Sequence, residues 1–389
     1  MSDRVVEVSE QGWFSRIFES IKSVLVGAFM FLIAIPLLWW NEGRAVQTYK
    51  SLSEGAGAVV SVPADKVDAS KEGKLIHLTG KVQSTETLAD PLFGISTTGV
   101  RLERHVEVYQ WVEEKSEKKR KKLGGGEETV TTYDYKKDWA QKLSDSSKFK
   151  EPVGHTNPRT AVAADETWRA RAVNVGAFKL SDSLIDRVPG EEKFAVTQSM
   201  LSNKGLGATA KIDNGGLYMG RSAASPEIGD VRIRYERVPA GSDVSIIAAQ
   251  RASALAPYQT RAGDALELVQ AGTKTSGEMF KQAESTNATM TWILRFVFFI
   301  VMAVGIFTVF RPLAVVADVV PIFGDILRGG LGFVSVAIAT PITFFTIALA
   351  WVFYRPVVGV GLLVVGVGVF FLVRQLAKKR GAPIPVHAH

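Results

Sequence analysis

Four apolar runs dominate the chain: Val24–Trp40, Trp292–Phe310, Leu331–Tyr354 and Pro356–Val373. A helix rises about 1.5 Å per residue and bilayer hydrocarbon is about 30 Å thick, so roughly 20 apolar residues make one crossing. Each run is of that order, and a helix apolar on every side for so long is foreign to a water-soluble fold. The one ionisable residue inside them, Arg295, lies a turn from its helix start, where its side chain is expected to snorkel to the headgroups. The runs predict an α+β membrane protein. Four transmembrane helices, one N-terminal and three C-terminal, flank a large inserted β-rich extracytoplasmic domain.

Charge orients this arrangement. Arg4, Arg16 and Lys22 precede the first run, Arg311 and Arg328 separate the second from the third, and Arg374, Lys378, Lys379 and Arg380 follow the last. The short loop on the other side offers Arg355. The positive-inside rule then gives a cytoplasmic tail at 1–23, a span at 24–40, an extracytoplasmic or lumenal domain at 41–291 and a span at 292–310. An interfacial cytoplasmic connection at 311–330, spans at 331–354 and 356–373 and a basic cytoplasmic tail at 374–389 complete the chain. Trp39, Trp40, Trp292, Trp351 and Tyr354 all fall at the outer span ends, where amphipathic rings form a belt. In the first tail, Trp13, Phe14, Ile17, Phe18 and Ile21 recur opposite Ser15, Arg16, Glu19 and Lys22. That pattern suits either an interfacial amphipathic helix or an ordinary helical start to the span.

The net charge of +7 raises the question of nucleic acid. Within 41–291 there are 35 Lys and Arg against 33 Asp and Glu, so most of the excess lies outside the block and follows from membrane orientation. No nucleic-acid motif accompanies it, and none is expected as a partner. The run Lys115–Lys122 precedes Gly124-Gly125-Gly126 and reads as a solvated hairpin tip, an anionic lipid or partner surface being the alternative. The absence of cysteine excludes disulfides and thiolate chemistry.

Period-two alternation marks strands at 74–82, 103–113, 128–135, 231–238 and 243–249. Helices are expected to tie the block to the membrane, Arg44–Leu52 continuing the first span and Gly277–Asn287 leading into the second. His77 and His105 fall in expected strands and His155 in a turn, with no pair at ligand spacing. Nucleophile-elbow, phosphate-loop and dinucleotide fingerprints are missing. No catalytic, metal or cofactor-binding residue is therefore assigned, and the chain is expected not to be an enzyme.

Two other patterns stand out. In the connection after the second span, Arg311, Asp318 and Asp325 stand seven apart on one helical stripe with Arg328 a turn beyond, as in a helix lying flat at the interface. Asp318 and Asp325 as intramembrane carboxylates on an ion path are the rival assignment. The last run repeats glycine at Gly359 and Gly366 and at Gly361 and Gly368, faces suited to close helix packing within the chain or between subunits.

Seven segments taken together resemble the transmembrane protein 43, or LUMA, family. They are NEGRA at 41–45, SLSEG at 51–55, ADPLFGI at 89–95, RHVEVYQWVE at 104–113, GHTNP at 154–158, EIGDVRIRY at 227–235 and WVFYRP at 351–356. The resemblance implies a four-span protein of the endoplasmic reticulum and inner nuclear membrane in animals, with a lumenal domain and a self-associating, membrane-organising role. Channel-related activity is the alternative, and no catalytic residue carries over. Richness in Ala, Val and Gly and the lack of cysteine suit a prokaryotic member in a bacterial plasma membrane. The expected partners are membrane lipids, further copies of the chain and unidentified proteins.

Overall fold

The structure, a computed structural model, describes residues 3–202 and 205–361. The chain divides into two compact units. One comprises Met1–Glu10, Ser51–Arg120 and Glu128–Glu284; the other comprises Gln11–Lys50, Lys121–Glu127 and Ser285–His389.

The first unit is β-rich. Its principal strands are β1 (Arg4–Gln11), β2 (Leu75–Gln83), β3 (Arg101–Lys121), β4 (Glu127–Ala140), β5 (Gly216–Met219), β6 (Val231–Val238), β7 (Asp243–Arg251) and β8 (Leu268–Ala271). An eight-stranded sheet carries β1, β4, β3, β6 and β5 side by side, and a seven-stranded sheet carries β8, β7 and β2. β6 pairs antiparallel with β3, setting Val231 against Val108, Ile233 against Val106 and Tyr235 against Arg104. Alternation along β6 buries Val231, Ile233, Tyr235 and Val238. They meet Ile76, Leu78, Val244 and Ile246 of the other sheet in one core. β7 is covered on both faces, because Leu52, Met279 and Phe280 pack on its far side around Leu75 and Ile247.

One assignment made from sequence changes here. Residues 4–11, expected in a free cytoplasmic tail, form β1 and join the sheet of the block beside β4. Tyr135 N–H donates to the Asp3 carbonyl at 2.8 Å. Counting basic side chains is blind to the β-branched run Val5-Val6-Glu7-Val8, whose backbone groups find a ladder partner. The basic run lies at the end of a hairpin as expected, β3 extending through it to Lys121 and the turn falling at Lys122–Gly126, with residues 115–120 and Lys122 exposed.

The second unit is helical. α1 (Trp13–Ala58), α2 (Ser276–Ala317) and α3 (Pro321–Tyr354) are each long and apolar enough to cross a membrane. Beyond Arg355 the chain is helical over 356–361; the remainder of the fourth expected span lies outside the described residues. α1 is one uninterrupted helix from Trp13, so the N-terminal amphipathic segment is the start of the span rather than a separate interfacial helix. Ala34 and Leu38 of α1 pack with Met302, Ala303 and Ile306 of α2 and Ala339 of α3. At Gly27 and Gly305 the first two helices nearly touch: a Cβ on Gly27 would stand 2.7 Å from the Gly305 carbonyl oxygen.

The connection 311–330 is also reassigned. Residues 311–317 complete α2 and 321–330 begin α3, leaving three residues between the helices. Pro321 is the reason: lacking an N–H, it fits the first turn of a new helix and cannot continue the old one. The stripe Arg311, Asp318, Asp325 and Arg328 is thereby split across a helix–turn–helix junction.

Candidate functional site

Ionisable side chains gather at the two ends of the helical unit. At one end the NEGRA segment, carried on α1 just past its apolar stretch, faces the middle of α2, where its own apolar stretch begins, and the end of α3. Glu42 accepts from Arg295 through both oxygens, at 2.6 and 2.7 Å, and also from Trp351 Nε1 at 2.7 Å. The carboxylate side chain is 2% exposed and the guanidinium 12%, so the charges answer each other rather than solvent. Arg295 stacks on Trp292 and Trp351, with 4.6 and 5.6 Å from the guanidinium to the ring centroids. Its expected escape to the headgroups is thus replaced by a bidentate partner.

The neighbouring signature residues complete this joint. Asn41 Nδ2 donates to the Thr291 carbonyl at 3.2 Å, and Arg44 donates to Asn287 and Thr291, each at 3.1 Å. Gly43 lies against Tyr354, where a Cβ would stand 2.7 Å from the ring. Arg355, the cation of the WVFYRP segment, lies over Tyr49 at 5.4 Å.

At the other end Asp318, fully buried in the turn between α2 and α3, is the centre of a second cluster. Arg16 reaches it at 2.6 Å, Lys121 at 2.9 Å and Arg328 at 2.9 Å. Glu127 lies 3.2 Å from Arg16, and Asp325 pairs with Lys121 and, at 3.4 Å, with Arg328. Three cations thus face three carboxylates. Burial works against the Asp318 charge, but hydrogen bonds from Lys121 and Arg16 and the field of Arg328 outweigh it and hold its carboxyl below the ordinary aspartate range.

Glycines let the turn at Lys122–Gly126 into this cluster. Gly124 and Gly125 have φ of 86° and 79°, in the left-handed region. Gly124 N–H donates to the Val319 carbonyl at 3.1 Å, and the Gly125 carbonyl accepts from Arg16. A Cβ on Gly125 would strike the Trp13 ring at 2.3 Å. Trp13 Nε1 in turn donates to the Val315 carbonyl at 3.0 Å. Residues 115–120 and Lys122 stay exposed, as expected of a solvated tip, while Lys121 and Gly125 are drawn inward.

Of the residues singled out in sequence, Asp318, Asp325 and Arg328 come together, whereas Arg311 is exposed on α2. Gly359 is buried, and a Cβ there would stand 2.5 Å from the Val352 backbone; a Cβ on Gly361 would meet nothing within 4 Å among the described residues. Gly366 and Gly368 lie outside the described residues. Sequence patterns missed Arg16, Glu42 and Lys121. One signal for the Glu42–Arg295 pair was present, two opposite charges bounding the facing ends of the first two spans.

The β-rich unit gathers its signature segments in the same manner. Asp90 accepts from Arg104 and from Tyr235 Oη, both at 2.6 Å, joining ADPLFGI, RHVEV and RIRY below the surface. Burial and the Asp90 carboxylate push the Tyr235 hydroxyl pKa far up, so it remains a donor. In GHTNP, Asn157 substitutes for a strand neighbour: its Oδ1 accepts from Trp111 N–H at 2.7 Å and its Nδ2 donates to the Trp111 carbonyl at 2.9 Å. His155 stacks on Tyr135 with centroids 3.9 Å apart and bonds the Glu151 carbonyl at 2.9 Å. His77 bonds Ser61 and the Lys274 carbonyl, at 3.1 and 2.9 Å. His105 lies 3.6 Å from Glu103 and 3.8 Å from Glu236.

Residues 108–356 match the family model described as transmembrane protein 43. Mouse transmembrane protein 43 is 32% identical over 363 residues, covering 91% of this chain and 90% of the relative. The human protein is 32% identical over 364 residues, with 91% and 90% covered. The Drosophila melanogaster homolog is 29% identical over 351 residues, with 88% and 91% covered. No solved structure matches the chain. The agreement runs through the helical and β-rich units alike, and the chain belongs to the transmembrane protein 43 family.

Proposed function

We propose that this chain is a non-enzymatic membrane scaffold that self-associates and acts by binding through its β-rich domain. The observation that carries this assignment is the use made of buried charge. Glu42 is neutralised by Arg295 and Asp318 by Arg16, Lys121 and Arg328, so the acids of the helical unit join segments of the chain. Mass measurement of particles extracted with native lipid is expected to return a multiple of the chain mass. A strictly monomeric species without partners overturns the proposal.

The end of the helical unit carrying Arg16, Lys22, Arg311 and Arg328 is assigned to the cytoplasmic side by its basic excess, and Lys121–Glu127, which pair with Arg16 and Asp318, go with it rather than to the extracytoplasmic side expected for 41–291. In sealed right-side-out vesicles of this cysteine-free chain, Lys22→Cys is expected to react with an impermeant maleimide only after lysis. Reaction in intact vesicles reverses the orientation. An ion path through Asp318 is disfavoured by the three cations around it. A planar-bilayer conductance abolished by Asp318→Asn would establish the channel assignment instead.

A further inference from the structure

We infer that a groove between α2 and α3 seats one acyl chain of a glycerophospholipid, whose ester carbonyl accepts from Trp292 Nε1. This goes beyond the scaffold assignment and does not depend on self-association. Trp292, Phe296 and Phe299 of α2 face Thr340, Phe344 and Ile347 of α3 across a groove of about 250 Å³. Both helices are long and apolar enough to cross a membrane, so lipid hydrocarbon is the medium that meets the groove. Its size suits one chain. The volume exceeds the roughly 150 Å³ cavity that holds a benzene ring and falls short of the roughly 300 Å³ at which drug-sized sites begin. From Thr340 to Ile347 the helix rises about 10 Å, and such a volume spread over that length is narrow.

The polar groups of the groove argue against a polar occupant. Thr340 Oγ1 donates to the Val336 carbonyl at 2.7 Å and Thr343 Oγ1 to Met302 Sδ at 3.6 Å, so neither hydroxyl proton is left for a ligand. Arg295, which also lines the groove, is held by Glu42. A water inside would lack the two to four polar partners it needs. Other described segments leave the groove open: α1 packs on Met302, Ala303 and Ala339, and residues 356–361 leave α3 beside Val352, whose backbone a Cβ on Gly359 would approach to 2.5 Å. Phe296 and Phe344 are 65% and 67% exposed. Trp292 sets the mouth. Its Nε1 has no acceptor among the described residues, and it stands at the end of the apolar stretch, the level at which indoles meet lipid headgroups. A chain held there by its carbonyl runs inward along Phe296 and Phe344.

The test uses the full chain in nanodiscs of diether phosphatidylcholine, doped with an ester phosphatidylcholine that carries a diazirine midway along one chain. On illumination, labelling of Phe296 and Phe344 is expected to reach half its maximum at a probe-to-matrix ratio about fivefold lower than labelling of Phe29, the shift that one net hydrogen bond supplies. Phe29 of α1 is as exposed as Phe296 and lies outside the groove, so it follows the bulk ratio. Trp292→Phe keeps a ring and removes the donor, and it should abolish the difference. An ether-linked probe should do the same, and the two together no more than either. Thr340→Phe, which fills the groove, should shield the half-buried Phe299 from the probe while sparing Phe29. Equal ratios at all three phenylalanines would reduce the groove to bulk lipid contact. Label on Phe29 with none on Phe296 and Phe344 would mean that another segment or a second copy fills it. Either result overturns the inference, as does a preference that survives both Trp292→Phe and the ether-linked probe.

Discussion

Replacing Gly324 by alanine separates tertiary packing from helix propensity within α3. Propensity alone favours the change, since alanine is better than glycine in a helix interior by about 0.5–1 kcal/mol. The surroundings oppose it. A Cβ at residue 324 would fall 1.8 Å from Asp318 Oδ1, 2.8 Å from its Cγ and 2.9 Å from its Cα, so a rotamer change does not suffice. Displacing Asp318 breaks its contacts with Arg16, Lys121 and Arg328. Opening a buried ion pair costs about 3–5 kcal/mol. That figure is reduced here because Arg16 retains Glu127 and Arg328 is 36% exposed, leaving a net loss of about 2–4 kcal/mol. Gly329 of the same helix is the control, because its Cβ would meet nothing within 4 Å and propensity acts alone. Denaturant titration in lipid nanodiscs, followed by tryptophan fluorescence, should move the midpoint down for Gly324→Ala and up slightly for Gly329→Ala. Equal shifts in one direction would refute the placement of Asp318 against Gly324.

Three further outcomes follow from the same geometry. Glu42→Ala should cost about 3–5 kcal/mol by stranding Arg295, whereas Glu42→Gln combined with Arg295→Met should cost distinctly less; the denaturant midpoints of single and double variants decide it. Because the folded Asp318 carboxyl titrates below its ordinary value of 3.8, its stabilisation is complete above that value and lost as pH falls through the depressed folded value. Trp13 fluorescence should accordingly stay constant on acidification from about pH 7 to 5 and change only below about 4, and a transition within the first interval would contradict the assigned ion pairs. Gly27→Leu should drive α1 and α2 apart, detected as lost excimer emission from pyrene labels on single cysteines at Val24 and Thr308; unchanged emission would place the close crossing elsewhere.

The sheets were legible where a single strand carries its own pattern. Alternation in Val231–Val238 marked an element with one buried face, and the observed strand has the same bounds. Lys115–Lys122 was legible as a wet hairpin end, exposed except at Lys121. Its composition describes a wet surface, yet Lys121 meets Asp318, a residue that a chain separation of nearly two hundred positions hides from any local pattern. The stripe at Arg311, Asp318, Asp325 and Arg328 contained the right acids on the wrong scaffold, since the spacing of seven assumed a continuous helix that Pro321 prevents. Glycine repeats drew attention to Gly359 and Gly361, whereas the close helix crossing in α1 and α2 uses Gly27 and Gly305, isolated glycines with no repeat to announce them.

The distance along the chain between Glu42 and Arg295 bears on how the membrane unit assembles. A lone guanidinium near hydrocarbon is costly, about 2.5–3.5 kcal/mol at a span centre and less toward an end. Its partner lies on α1, whereas Arg295 arrives only after the whole β-rich block has been made. Until then Glu42 sits just past the apolar stretch of α1, where the interface can solvate it, and α1 needs nothing else to remain inserted. When α2 enters, the bidentate pair neutralises both charges, and Trp351 of α3 then donates to the same carboxylate. The joint is therefore closed in chain order. The first helix waits, the second removes the charge, and the third caps it with an indole, so that Glu42 ties each later span to the first.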